Sequence, residues 1–353
     1  MNDRKSSKPP IDHVKKHLKL TMNAAEELRD EAYVQVLKQI KGHRVYDKAL
    51  RGWNFLAIIA SCYLPSPKLF YSLINYLISE IKNGQDKIIV EHANYVLVRL
   101  YKTYELKRKN IPSEDEILHI EKMKPLIVPI YFFQNSVING EIESYTTVKE
   151  LKTFVMKKIN FNPNKIPYFS LYEICKTKDK VEERFLEDNE RVSDILSLWS
   201  QDIDEYLKRK ETIDFKIYIK IFLHYSYLGS DLDTLTADYS QSVYDVIGGK
   251  FNLKESEVIA LAALQLVAEN GKNEDGAYQN IQKYLEQYIP NKMINLNPHL
   301  YYAEKIMEYY SQFKNTLKLD AKKMYLELLT KSPLWQAHQY IVKVKIKILN
   351  SID

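Results

Sequence analysis

The sequence predicts a mainly α-helical protein with one α+β lobe, and three observations carry that reading. Residues 24–110 and 213–330 repeat apolar side chains at helical spacing. Between them the pattern shortens to strand-like runs, with Asn139-Gly140 as a hairpin signal. Glycine is scarce, at 9 of 353 residues, while tyrosine numbers 27, so a glycine-rich nucleotide loop is disfavoured.

Residues 1–23 read as a basic polar arm, frayed and charged through Lys5, Lys8, Lys15, Lys16 and Lys19. A helical domain is expected over 24–124. Its first helix, AAEELRDEAYVQVLKQIKG, sets Leu28, Tyr33, Val36, Leu37 and Ile40 near one face and ends at Gly42. A second runs from about Tyr46 to Tyr63, with Leu50, Trp53, Leu56, Ala57 and Ala60 among its apolar positions. Pro65 cannot continue it and pushes Leu64 out of helical geometry. Ser66 then suits an N-cap and Pro67 a first helical position. The third helix carries Leu69, Phe70, Leu73, Ile74, Leu77 and Ile81 in one stripe and stops at Asn83-Gly84. The fourth, from about Lys87 to Arg108, carries Val90, Tyr95, Val98 and Tyr101.

The texture changes at Pro112. KPLIVPIYFF reads as a strand, and Asn139-Gly140 as the turn before EIESY. Thr147 to Glu150 is a capping box opening a helix with Val148, Leu151, Val155 and Ile159 on one face. YFSLYEICK and VEERFL read as strands, and VSDILSLW as a short helix. This order over residues 125–205 fits a ubiquitin-like β-grasp. Residues 212–332 return to helix, with segments at Asp233–Ile247, Lys254–Asn270, Asn273–Gln287 and Pro298–Thr330, the last open to a break. Gly248-Gly249 and Asn270-Gly271 are stop signals. Residues 333–353 include YIVKVKIKIL, whose alternation of Val342, Val344, Ile346 and Ile348 with three lysines reads as a half-buried strand with an exposed edge.

Charge is uneven. Residues 1–124 hold 22 Lys and Arg against 15 Asp and Glu, whereas the remainder holds 29 against 31. A basic front favours an anionic partner, and a solvated helix face gives the same pattern. Cys62 and Cys175 are the two cysteines, far apart and without metal spacing, as in a reducing, cytoplasmic setting. No apolar run approaches the ~18 residues of a membrane span.

Tests for chemistry return nothing that suggests an enzyme, a metal or a cofactor. His13 and His17 are four apart but lie in a Lys-rich arm with no adjacent acid. Asp231 and Asp233 lack the glycine and the twelfth-position Glu of a calcium loop. Gly248-Gly249-Lys250 lacks the earlier glycine of a phosphate loop. Cys62 has no evident basic partner and reads as core. The stronger signal is RLYKTYELKRKN, where Arg99, Lys102, Lys107, Arg108 and Lys109 gather with Tyr101 and Tyr104 between them. Such cations complement a helix dipole; they also make an electrostatic footprint for an acidic partner. Nothing resembles a base-reading motif, so nucleic acid is not expected.

Several stretches then carry a resemblance. LRDEAYVQVLKQIKG, ALRGWNFLAIIASCYLPSPKLFYSLINYL, NYVLVRL and PSEDEILHIEKMKPLIVPIYFF resemble a myosin tail homology 4 domain running into a FERM domain. The match includes Leu28 to Glu31, Arg51-Gly52-Trp53, Pro65-Ser66-Pro67 and Pro112-Ser113, in family order. YSQSVYDVIGGKF and EVIALAALQLVAENG resemble the helical second FERM lobe, similar to an acyl-CoA-binding protein. The resemblance covers roughly residues 25–349. It implies a tail homology domain short at its N-terminal end and a third lobe reduced to its first strand. The Arg-Gly-Trp and Pro-Ser-Pro motifs are then structural: Trp53 anchors a helical core, Gly52 lets a helix approach, and Pro-Ser-Pro reverses the chain.

The resemblance implies a non-enzymatic cytoskeletal adaptor or cargo-binding module, as in tails of class VII, X and XV myosins or plant-type kinesin. Expected partners are cytoskeletal filaments, microtubules among them, and peptide tails of cargo or adhesion proteins. Two alternatives stand beside it: a motor-free membrane-cortex adaptor binding acidic phosphoinositide lipids, and a regulatory fragment of a Rho GTPase-activating protein.

Overall fold

The computed structural model describes residues 7–132, 136–222 and 232–335. The chain divides into two units, Met1–Lys220 and Ile221–Asp353.

The first unit opens with α1 (Pro10–Thr21), α2 (Glu26–Ile40), α3 (Tyr46–Cys62), α4 (Pro67–Asn83), α5 (Lys87–Glu105) and α6 (Glu114–Glu121). The second half of helix α3 is apolar or small all round because it is central, whereas its first turns keep Asp47 and Arg51 exposed. Ala49, Gly52, Trp53 and every residue from Leu56 to Cys62 are buried, and α2, α5 and α6 pack around it. Trp53 stacks on Tyr76 with ring centroids 6.2 Å apart. Truncating so buried an aromatic costs about 3–5 kcal/mol.

Two expectations are corrected here, and one helix is added. Residues 10–21, read as part of a frayed arm, form α1. Its Leu18 is fully buried, and Ile11 and Val14 pack against the same core. That helical spacing was masked by the lysines between. Helix α5 ends at Glu105, so Arg108 lies beyond it. Helix α6 precedes the first strand. Ser113 caps it, its Oγ accepting from the Glu116 N–H at 3.3 Å, and three acids occupy its first turn.

The sheet follows: β1 (Leu126–Tyr131), β2 (Val137–Ile142), β3 (Phe169–Thr177), β4 (Val181–Phe185) and β5 (Ile213–Ile221), in the order β2-β1-β5-β3-β4. Strands β1 and β2 pair antiparallel, Leu126 opposite Ile142, while β1 and β5 pair parallel, Ile130 opposite Ile217. Helix α7 (Val148–Lys158) has the expected capping box at Thr147 and Glu150, and α8 is Val192–Lys208. The β-grasp reading holds, with two corrections. Strand β5 lies beyond the expected limit of the lobe at residue 205, in a stretch read as returning to helix. Asn139-Gly140 is not the turn; it sits inside β2, with Gly140 opposite Val128. Glycine is needed there because a Cβ would stand 2.5 Å from Leu151 Cδ1 of α7.

The second unit contains α9 (Leu232–Ile247), α10 (Glu255–Asn270), α11 (Glu274–Lys283), α12 (Asn291–Ile294), α13 (His299–Phe313) and α14 (Lys318–Leu329). Its central helix is α10, with Val258, Ile259 and every residue from Leu261 to Ala268 buried, packed by α11, α13 and α14. The long segment expected over Pro298–Thr330 is broken between α13 and α14. Tyrosines tie the connections: Tyr302 Oη donates to Met293 O at 2.7 Å and Tyr310 Oη to Gly271 O at 2.6 Å. Gly271 ends α10 at a positive φ of +61° with ψ −122°, a backbone that glycine adopts readily, so Asn270-Gly271 is the expected stop. The terminal strand YIVKVKIKIL lies outside the described residues.

Candidate functional site: a basic surface over an arginine junction

The five cations of RLYKTYELKRKN do not share one environment. Lys107 and Lys109 are exposed, and Lys102 is half-buried. Arg99 and Arg108 are buried, at 2% and 7% exposure, so they are corrected from partner-binding to internal residues.

Arg99 points from α5 towards the β-grasp lobe. Its Cζ sits 3.2 Å from the Tyr95 ring centroid, and its Nη2 donates to Glu143, just past β2. Burial lowers its basicity, opposed by Tyr95 and Glu143. Lys102 pairs with Glu105 at 2.8 Å, and the bond holds its ammonium above the ordinary value.

Arg108 lies deeper. Its guanidinium forks onto Glu116 of α6, with Nη2 2.6 Å from Oε2, and the same Nη2 donates to Ser197 Oγ of α8 at 3.0 Å. Burial disfavours this cation, yet Glu116 and the neighbouring Cys62 and Asp194 together raise its pKa. Asp194, in the first turn of α8, accepts from the backbone N–H of Lys109 at 3.1 Å and of Asn110 at 2.7 Å. Arg191, just before α8, donates to Leu106 O, to Lys102 O at 3.2 Å and to Ser61 O at 3.4 Å. Burial, then the Arg108 charge, lowers Arg191 to about 10. The link from α5 to α6 is therefore clamped by α8, joining the helical bundle to the β-grasp lobe. Burial pushes the Cys62 thiol beside this network up to about 12.

The motif residues are structural in placement. Gly52 and Trp53 are buried on α3, Arg51 is exposed, and Pro65 is buried before the chain turns. Ser66 Oγ accepts from Leu69 N at 3.4 Å, the expected cap. Its own N–H donates to Asp30 Oδ1 at 2.6 Å, which gives the acid of Leu-Arg-Asp-Glu a role that the sequence did not reveal. Sequence reasoning also missed Glu116, Glu143, Arg191 and Asp194. Among the described residues no three His, Cys, Asp or Glu side chains gather as a metal site. Among the same residues no helix is long and apolar enough to cross a membrane.

The comparisons agree with this architecture. The MyTH4 domain family model matches residues 15–119, the RA-like domain model 124–223 and the FERM central domain model 230–340. The chain is a MyTH4 domain followed by FERM-type domains. It is 24% identical to the myosin-I heavy chain of Dictyostelium discoideum over 88% of its own length, and 23% identical to the kinesin-like protein KIN-14I of Oryza sativa over 92%. It spans 13% of the first relative and 26% of the second. The human myosin 7b C-terminal MyTH4-FERM domain, solved in complex with the harmonin-a PDZ3 domain, matches with a TM-score of 0.72 at 20% identity. That match covers 95% of this chain and 67% of the other.

Proposed function

We propose that this chain is a non-enzymatic adaptor module of the cytoskeleton or cell cortex, binding partner proteins and engaging acidic filament surfaces through Lys102, Lys107 and Lys109. The carrying observation is the succession of a MyTH4 domain and FERM-type domains with a clamped junction between bundle and β-grasp lobe. Support for protein partners comes from the myosin 7b relative, whose structure includes a harmonin PDZ domain. Support for a microtubule comes from the kinesin-like relative and from the lysines left on the surface once Arg99 and Arg108 turn inward.

The test is co-sedimentation of the full chain with taxol-stabilised microtubules, across a salt series. Pelleting should weaken as salt rises, because exposed charges are screened within about 10 Å at 0.1 M. A Lys102→Gln, Lys107→Gln, Lys109→Gln variant should lose most of it and fold normally. Unchanged pelleting by that variant would reject the surface. Pelleting with anionic phosphoinositide vesicles and not with microtubules would favour the membrane-cortex alternative.

A further inference from the structure

The start of α4 and the end of α5 build an aromatic surface on the outer side of the helical core. The two helices are antiparallel neighbours joined by a short link, so Pro67 to Tyr71 lies beside Tyr101 to Glu105. Phe70 forms the floor, 9% exposed. Tyr71, Tyr101 and Tyr104 surround it with ring centroids 5.9, 6.5 and 5.8 Å away. These three tyrosines are 68%, 46% and 69% exposed. With aromatic side chains of 150–250 Å², that leaves roughly 300–400 Å² of tyrosine surface in water around Phe70. A patch of about that size on a monomer is commonly a binding surface.

Charge defines the occupant. Lys68 lies one turn before Tyr71 on the same helix, and Lys102 and Lys107 flank Tyr101 and Tyr104 in sequence. Lys68 and Lys107 have no ion pair among the described residues, and Glu105 offsets only Lys102. A second copy of this chain is disfavoured, since residues 1–124 carry a surplus of seven positive charges. The chain's own terminal segment is disfavoured too, with Lys343, Lys345 and Lys347 against Asp353 alone.

We propose that the Tyr71–Tyr101–Tyr104 surface is the docking site for an acidic, unfolded peptide segment of a partner protein, carrying an aromatic, aliphatic or proline anchor that packs over Phe70. The proposal rests on the adaptor reading and assigns the chemistry of one partner. Tyrosine suits it: the rings supply contact area at little entropic cost, and the hydroxyls stay solvated until they bind.

The experiment is selection of a phage-displayed random dodecapeptide library on the full chain, counter-selected on a Tyr71→Ser, Tyr101→Ser, Tyr104→Ser variant. The variant should keep its circular dichroism spectrum, because the changed rings lie outside the buried core, and should lose a few degrees of melting temperature from the lost contacts with Phe70. Enriched sequences should be net acidic with one or two apolar anchors. A fluorescein-labelled synthetic copy should bind wild type and lose about tenfold or more on the tyrosine variant. A Lys68→Gln, Lys107→Gln variant should bind it more weakly, with less dependence on salt. No enrichment, enrichment without acidic bias, or equal binding to the tyrosine variant would each overturn the proposal. Microtubule pelleting separates the two readings. If it is retained while no peptide is selected, only the docking site fails. If it is absent while acidic peptides bind, only the filament surface fails.

Discussion

Replacing Glu116 with Gln removes the charge facing Arg108 and keeps the shape. The Arg108 side chain is 0% exposed and that of Glu116 5%, so water screens little of their attraction. Breaking a buried pair from one side costs about 3–5 kcal/mol, because the remaining charge is stranded. Here Asp194 stays 3.7 Å away, and Asn110 O and Ser197 Oγ still accept from the guanidinium. The expected loss is therefore about 2–4 kcal/mol, a large share of the ~5–15 kcal/mol of a typical domain. Urea unfolding followed by circular dichroism reads it as a lower midpoint at constant slope. An Arg108→Met, Glu116→Leu double variant should recover about half or more, since apolar packing replaces both charges. A loss under about 1 kcal/mol for Glu116→Gln would refute the reasoning, because it is the range of an exposed pair.

Further outcomes follow from the same contacts. Gly140→Ala should cost about 1–3 kcal/mol through the clash with Leu151, read as a lower melting temperature, with partial recovery by Leu151→Val. His17 lies against Phe55, centroids 5.1 Å apart, and burial lowers its pKa below 6.5. The unfolded chain thus binds more protons just below that value, so stability present above pH ~6.5 is lost as pH falls through the folded pKa. Midpoints at pH 7 and 5 should differ less in His17→Gln than in wild type. Cys62 should resist thiol reagents at pH 8 until denaturant is added, since it is buried with its pKa near 12; mass spectrometry of iodoacetamide adducts checks this.

Helical stripes and caps were readable because they are local. Leu69 to Ile81 and the Thr147–Glu150 box need only a few neighbouring residues to declare themselves. The hidden parts depend on distant partners. Glu143 is 44 residues from Arg99, and Asp194 is 84 from Asn110, so no window of sequence shows either bond. Gly140 read as a turn because Asn-Gly favours turns, whereas its reason is a helix lying across the sheet. Strand β5 was missed because DFKIYIKI sits between two helical stretches and pairs with β1, far back in the chain.

The split of the five cations follows from what each side chain can do when buried. Arginine offers planar donors in a fork that a carboxylate matches, and its charge is weakly hydrated. Both arginines of the cluster went inside, where Glu143 and Glu116 meet them. Lysine is a compact, strongly hydrated point charge on a flexible stem. All three lysines kept their ammonium groups at or near the surface, even though Lys107 and Lys109 flank Arg108 directly. A run of basic residues at a domain boundary therefore splits into two environments that net charge alone merges. The arginines hold the β-grasp lobe against the bundle, and that fixed join sets where the lysines stand. Neutralising the arginines would deform the surface, whereas neutralising the exposed Lys107 and Lys109 would leave the join intact.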